Sequence, residues 1–372
     1  MNPFRYSGPV GGEDLIDRER EAATLLDGAA EGNNSRVVAP RRYGKTSLLR
    51  RVLADADKRG WLGVYVDFFG VVSLADVAER IERAYNQTLR GPASRWWEGL
   101  RRTLRPNLRV GIPGTSIGAE ASAGIAGPEP AAAALLERLA LPKVVSEREG
   151  TRVLVVFDEF QAVLTAGDTI DAVIRSEIQH HADAASYIFA GSHVGMMQQL
   201  FADHRRAFYA QARPVVLPPL PPEPTARYLG ERFESTGRGI GAALGPILDI
   251  AAGHPQRTIL LAHHLWERTP AGTDADEATF HEALSNATAE LGDEFAVAWT
   301  GLTAVERRLL VALAAGAAPY ARQAGQSRGG AVRHALAQLE AGGQIVRDAS
   351  VGNGWRVVDP LLAHWLRQGR PG

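Results

Sequence analysis

Apolar and polar positions along the chain alternate between helical and strand-like spacing. Residues 13 to 31 (EDLIDREREAATLLDGAAE) carry apolar side chains at helical intervals and predict an amphipathic helix led in by Asp17. Ser35 to Ala39 is a short apolar run and predicts a buried strand. It feeds into PRRYGKTS and a helical stretch, LLRRVLADADKRG, that ends at Gly60. WLGVYVDFF predicts a second buried strand and Ser73 to Leu89 a second covering helix. Ala131 to Leu141 resumes as helix. RVLVVF, Arg152 to Phe157, predicts the central strand, followed by a helix through about His181. Tyr187 to Ala190 (YIFA) predicts a further buried strand ending at Gly191-Ser192. Strands alternating with helices give a parallel sheet covered by helices.

Two stretches break the alternation. Residues 90 to 130 hold Trp96-Trp97, an Ile112-Pro113-Gly114 turn and, between Arg90 and Arg109, six arginines (Arg90, Arg95, Arg101, Arg102, Arg105, Arg109) against one acid, Glu98. They read as an insertion, an exposed helix and then a hairpin or loop. Residues 214 to 224 (PVVLPPLPPEP) are proline-dense and predict a linker, which ends the α/β domain near residue 216. Residues 225 to 300 are helical in pattern. In the tail, Thr303 and Glu306 have capping-box spacing, Gly329 to Ala341 predicts a helix, and GQIVRDASVGNGWRVVDPLLAHWLR reads as strand, turn, strand, final helix. The expected domains are 1–216, 217–300 and 301–372: an α/β core, a small helical unit, and a winged helix-turn-helix.

Composition narrows the classes. The chain has 372 residues, 45% hydrophobic and 22% charged, which is globular and long enough for more than one core. Net charge is −1, so no global field draws it to nucleic acid or acidic lipid. Cysteine is absent, which excludes disulfide scaffolds, Cys-ligated zinc and Cys nucleophiles. No apolar signal-peptide core stands in Met1 to Gly12 and no run is long enough to span a bilayer, so a cytoplasmic location and no membrane partner are expected. Lys45, Lys58 and Lys143 are the only lysines. Arginine usage therefore reads as compositional bias, and a lysine in a motif carries more weight than an arginine.

Lys45 sits in such a motif. Pro40-Arg41-Arg42-Tyr43-Gly44-Lys45-Thr46-Ser47 follows a predicted strand and opens a predicted helix, the setting of a phosphate-binding loop. Backbone N–H groups at a helix start cradle anions. Lys45 would reach the β- and γ-phosphates and Thr46 would give its hydroxyl to Mg²⁺. Ala39 stands where such loops usually begin with Gly. Further on, VLVVFDEF puts Asp158 and Glu159 at the C-terminal end of a buried strand, the end that faces ligands in open α/β sheets. Asp158 would hold Mg²⁺ and Glu159 would polarise the attacking water. Alone, the pair also fits a solvated acidic cap. Ser192, at the end of the next strand, reads either as a γ-phosphate or water contact or as a turn or helix cap. His193 has no partner at metal-ligand spacing.

DRERE near the N-terminus, PRRYGKTSLL, VVFDEFQ, IFAGS, GHP and the C-terminal pattern together resemble the archaeal-type ATPases of the AAA+/STAND branch of P-loop NTPases, similar to origin-recognition ATPases. The resemblance runs from about residue 13 to 366, the 90–130 insertion excepted. It implies a Mg-ATP-hydrolysing molecular switch with ATP or ADP between core and lid. Ile16 and Arg18 look like the adenine-side segment, Pro255 like the turn that packs near the base, and Arg257 like the lid arginine. Many relatives carry Gly-Arg where this chain has Gln211; Arg205, Arg206 and Arg213 are the nearby arginine-finger candidates, with slow hydrolysis expected if none serves. Self-association, an unidentified protein partner and DNA are the candidate macromolecular partners. For DNA the tail offers nine arginines against four acids, among them Arg328 and Arg333 with His334 on the candidate recognition helix, and Arg347 and Arg356 flanking the wing. The competing reading is an ATP-sensing DNA-binding regulator with little or no hydrolysis.

Overall fold

A computed structural model describes residues 1–8, 15–89, 128–320 and 329–369. Residues 90–127 of the expected insertion, and Arg328, lie outside them.

Two central strands set the architecture. β3 (Val153–Asp158) and β4 (Ala185–Gly191) are buried at every position, as strands covered on both faces must be. With β1 (Ser35–Val38), β2 (Leu62–Asp67) and β5 (Arg213–Val216) they form a parallel sheet in the order β2-β3-β4-β1-β5. Alternate residues part to opposite faces. Val64, Val66, Val155, Phe157, Tyr187 and Phe189 share a core with α3 (Leu74–Thr88), α4 (Pro128–Leu139), α5 (Leu141–Glu149), α7 (Ile170–Ile178) and α8 (Val194–Ala202). A four-residue turn of helix, α6 (Val163–Ala166), precedes α7. Val37, Val156, Ile188 and Val215 meet α1 (Glu19–Ala30) and α2 (Lys45–Lys58) on the other face. The expected α/β sheet with helices on both faces is present.

Three expectations need correction. The first helix starts at Glu19, because Asp17 and Arg18 take left-handed φ values of 56° and 89°. The helix expected after β3 is broken into a 3₁₀ turn and two short helices, with Gly167 between them at φ 158°. The proline-dense stretch is not linker throughout: Arg213–Val216 pairs in parallel with β1 as an edge strand. Pro214 is exposed there, and an edge position tolerates its missing N–H.

Beyond the sheet come α9 (Pro222–Glu234), α10 (Leu244–Ala251), α11 (Pro255–Arg268), α12 (Glu277–Glu290), α13 (Gly292–Thr300) and α14 (Ala304–Ala314). The Thr303–Glu306 capping box is formed. Then follow α15 (Gly329–Ala341), an antiparallel hairpin of β6 (Ile345–Arg347) and β7 (Trp355–Val357), and α16 (Pro360–Arg367). Pro360 begins this last helix, where its fixed φ suits the first turn. Residues of all these helices and the hairpin share one hydrophobic core, which also takes in Phe4 and Ile16 from the N-terminal segment. No helix among the described residues is long and apolar enough to cross a membrane.

Candidate active site

Strand register brings the motif residues to one edge. Val38, the last residue of β1, pairs with Gly191 of β4, and Phe157 of β3 with Phe189. The segments after β1, β3 and β4 therefore emerge side by side at the C-terminal edge, where open parallel sheets bind ligands. β4 lies between β1 and β3, so Ser192 comes out between the loop and the acidic pair.

The loop from Ala39 to Gly44 turns through left-handed residues, Arg42 at φ 65° and Gly44 at φ 83°. Gly suits the second position, since an added Cβ would be strained there. Ala39, in place of the usual first Gly, is buried and its N–H reaches Gly191 O at 3.3 Å. Helix α2 begins at Lys45, and backbone N–H groups of a first helical turn have no acceptor within the helix.

Lys45 is buried, and its ammonium is clasped by Asp158 Oδ1 and by Glu159 Oε1 at 3.1 Å. Thr46 Oγ1 lies 3.4 Å from Asp158 Oδ2. Glu159 sits at φ 50°, a left-handed conformation that costs energy in a non-glycine residue and points to a constrained position. Its Oε2 accepts from Ser192 Oγ at 2.8 Å and from Gln161 Nε2. Burial pushes the Glu159 carboxyl up, but Lys45 and these hydrogen bonds outweigh it, and the group ends below its ordinary range. Ser192 thus touches Glu159, and the cap of α8 is His193 instead, whose Nδ1 accepts from Met196 N–H at 3.2 Å.

A cavity of about 580 Å³ opens beside these groups, within the range of small-molecule sites. Of the expected residues, Ile16, Arg18, Pro40, Arg41, Arg42, Gly44, Lys45, Thr46, Ser47, Glu159, Ser192 and Pro255 line it. Arg18 is fixed by Glu21 and by Pro218 O at 2.7 Å. Asp158 lies behind Lys45.

Tyr43 and Arg257 are not among the lining residues. Tyr43 is buried edge-on against His254, with ring centroids 5.3 Å apart, and its hydroxyl is 3.5 Å from Arg356 Nη2. Arg257 is 1% exposed and paired with Asp359, its Nε 3.0 Å from Oδ2. The arginine-finger candidates also lie off the cavity: Arg205 on Asp203, Arg206 on Asp168 O, Arg213 on Glu31. Gln211 accepts from Arg175 at 2.7 Å.

Sequence reasoning missed Tyr6, Glu290 and Glu294, which line the cavity from the N-terminal segment and α12–α13, and Tyr65, whose hydroxyl lies 2.5 Å from Asp158 Oδ2. The one available signal for Tyr65 was its alternation with Val64 and Val66, which turns it to the opposite face. Burial and the Asp158 charge raise the Tyr65 phenol, so it stays a donor. Nothing in the sequence tied Glu294 to the loop.

Solved structures share the fold. The Walker-type ATPase PABY2304 of Pyrococcus abyssi superposes with a TM-score of 0.69 at 18% identity, over 98% of this chain and 99% of that one. The ORC2 protein of Aeropyrum pernix, in ADPNP–ADP complexes, gives 0.54 at 16% identity, over 98% and 95%. The chain has the AAA+-type P-loop fold of these two proteins. No protein-family profile and no curated protein sequence matches it.

In this AAA+ fold the donor set fits a magnesium nucleotide. Thr46 and Asp158 offer hard oxygen donors, which suit Mg²⁺, and one lysine faces the cavity. No cluster of three or more His, Cys, Asp or Glu able to hold a metal exists among the described residues. A magnesium ion would therefore complete its shell with water and phosphate oxygens, as this ion usually does.

Proposed function

We propose that this chain binds ATP with Mg²⁺ and hydrolyses it slowly, as a switch whose C-terminal region responds to nucleotide state. The observation that carries the reading is Lys45 at the start of α2, held between Asp158 and Glu159 and facing the cavity. Bound Mg²⁺ would neutralise charge on the transferring phosphoryl group. Lys45 exchanges its carboxylate partners for phosphate oxygens. Thr46 and Asp158 hold the metal side. Glu159, kept ionised by its neighbours, orients a water and accepts its proton, while Ser192 and Gln161 fix the carboxylate. Arg18 and Ile16 close the base side.

Residues 1–216 act in this reading as the ATPase core, 217–300 as a lid, and 301–372 as a winged helix. Among the described residues, no arginine other than those of the loop and N-terminal segment lines the cavity, which supports a slow rate unless a second copy supplies one. The alternative, an ATP-sensing DNA-binding regulator, draws on the exposed Arg333 and His334 of α15 and on Arg347. It requires DNA affinity that falls steeply with salt and changes with nucleotide.

The test is nucleotide binding and phosphate release across a range of protein concentration. Lys45→Ala should lose both. Glu159→Gln should keep binding while turnover drops by about 100-fold or more. Full turnover in Glu159→Gln would remove its role, and binding by Lys45→Ala equal to wild type would remove the site. Turnover per chain that rises with concentration would mark a site shared between copies.

A further inference from the structure

Tyr65 lies outside both the loop and the acidic pair. Its register partner is Val156, two residues before Asp158 along β3. Its ring packs on the face covered by α1 and α2, a volume that phenylalanine would fill equally well. The hydroxyl adds a hydrogen bond to Asp158 Oδ2 at 2.5 Å and an interaction with Thr46.

The two oxygens of Asp158 have different partners. Oδ1 faces Lys45 Nζ and accepts from Glu159 N–H at 2.9 Å. Oδ2 faces Tyr65, with Thr46 Oγ1 at 3.4 Å. Phosphate would draw Lys45 away from Oδ1. The Oδ2 side does not depend on Lys45, so it retains its orientation when the lysine leaves. We infer that Tyr65 is a positioning residue whose hydroxyl holds Asp158 Oδ2 toward Thr46 Oγ1, and so presets the oxygen pair that takes magnesium. Partners behind a metal ligand commonly change metal affinity by about 10- to 100-fold. The inference rests on the magnesium-nucleotide reading of this site.

The test is Tyr65→Phe, with a fluorescent ADP analogue as probe, titrated first in EDTA and then with rising Mg²⁺. The variant should keep a cooperative melt in the nucleotide-free state, at most modestly below wild type, and bind the probe equally in EDTA. The Mg²⁺ concentration at half-effect should rise about tenfold. In an Asp158→Asn background the same substitution should add nothing further, because the two groups act through one hydrogen bond. An unchanged Mg²⁺ midpoint, or an equal loss in EDTA and in Mg²⁺, would overturn the inference while leaving the nucleotide site standing. Additive effects in the double variant would also overturn it. A wild-type chain that binds the probe under neither condition would overturn the functional reading and this one together.

Discussion

Arg42 and Glu294 form a two-pronged ion pair across 252 positions of sequence, with Nη1 2.6 Å from Oε1 and 2.7 Å from Oε2. It joins the loop before α2 to α13 at the rim of the cavity. Both side chains are nearly half exposed, so the pair contributes only about 0–1 kcal/mol to stability. Its effect on an anion is larger, because Glu294 holds a loop arginine and adds negative charge where phosphates would lie. Glu294→Gln should tighten nucleotide binding about fivefold, roughly 1 kcal/mol, with little change in melting. Unchanged or weaker binding, read by probe fluorescence, would refute this.

His254 caps α11 and is buried, and burial lowers its imidazole from the ordinary 6.5 to about 4, despite the raising effect of Asp359. The folded protein then binds fewer protons than the unfolded chain between those values. The associated stability is complete above the unfolded value and is lost as pH falls toward the folded one, by roughly 3 kcal/mol in all. His181, lowered chiefly by burial, acts in the same direction. His254→Asn keeps a cap acceptor and removes one titration. Denaturant melts between pH 7 and 4 should show a shallower loss in this variant. A slope equal to wild type would rule the contribution out.

Asp359 caps α16 through Leu361 N–H at 3.0 Å and at the same time neutralises Arg257. Burial raises its carboxyl, but the Arg257 bonds outweigh this and hold it below the ordinary range. Asp359→Asn preserves the cap and leaves a buried guanidinium without its nearest charge. The loss should be about 3 kcal/mol, toward the low end for a broken buried pair because Glu294 lies 3.6 Å from Arg257. A change under about 0.5 kcal/mol in denaturant unfolding would show that the pair contributes nothing.

Gly195 of α8 meets Ala341 at the end of α15. A Cβ on Gly195 would stand 2.7 Å from the Ala341 Cβ and 3.2 Å from its Cα. Gly195→Leu should therefore push α15 off the α/β core. Hydrogen exchange should speed up in α8 and α15 and stay slow in β3 and β4. Equal exchange in all four elements would contradict this.

The sheet was legible because its central strands are unbroken apolar runs, and the loop because GKT follows one of them. Ser192 was legible as a position and ambiguous as a role: its partner Glu159 lies 33 residues away. β5 was hidden by Pro214 and the prolines that follow it, which signal a linker unless the strand is known to lie at an edge. Arg257 was expected beside the ligand. Its actual partner is Asp359, 102 residues on, and local pattern carries no information about such pairing. The same holds for Arg42 with Glu294.

The single core running from Phe4 to Leu366 has a mechanical consequence. The helices after Pro221 and the C-terminal hairpin cannot separate without opening apolar surface, so any displacement of one would carry the others with it. The stretch from Leu217 to Pro221 leads into this unit, stiffened by prolines and tied by Leu220 N–H to Gly253 O at 2.8 Å. The unit also meets the α/β core at Tyr43 through Arg356 and at Gly195 through Ala341. Tyr43 thus touches this unit twice, beside the proline stretch at His254 and in the hairpin at Arg356, so a shift of the loop would reach both places at once.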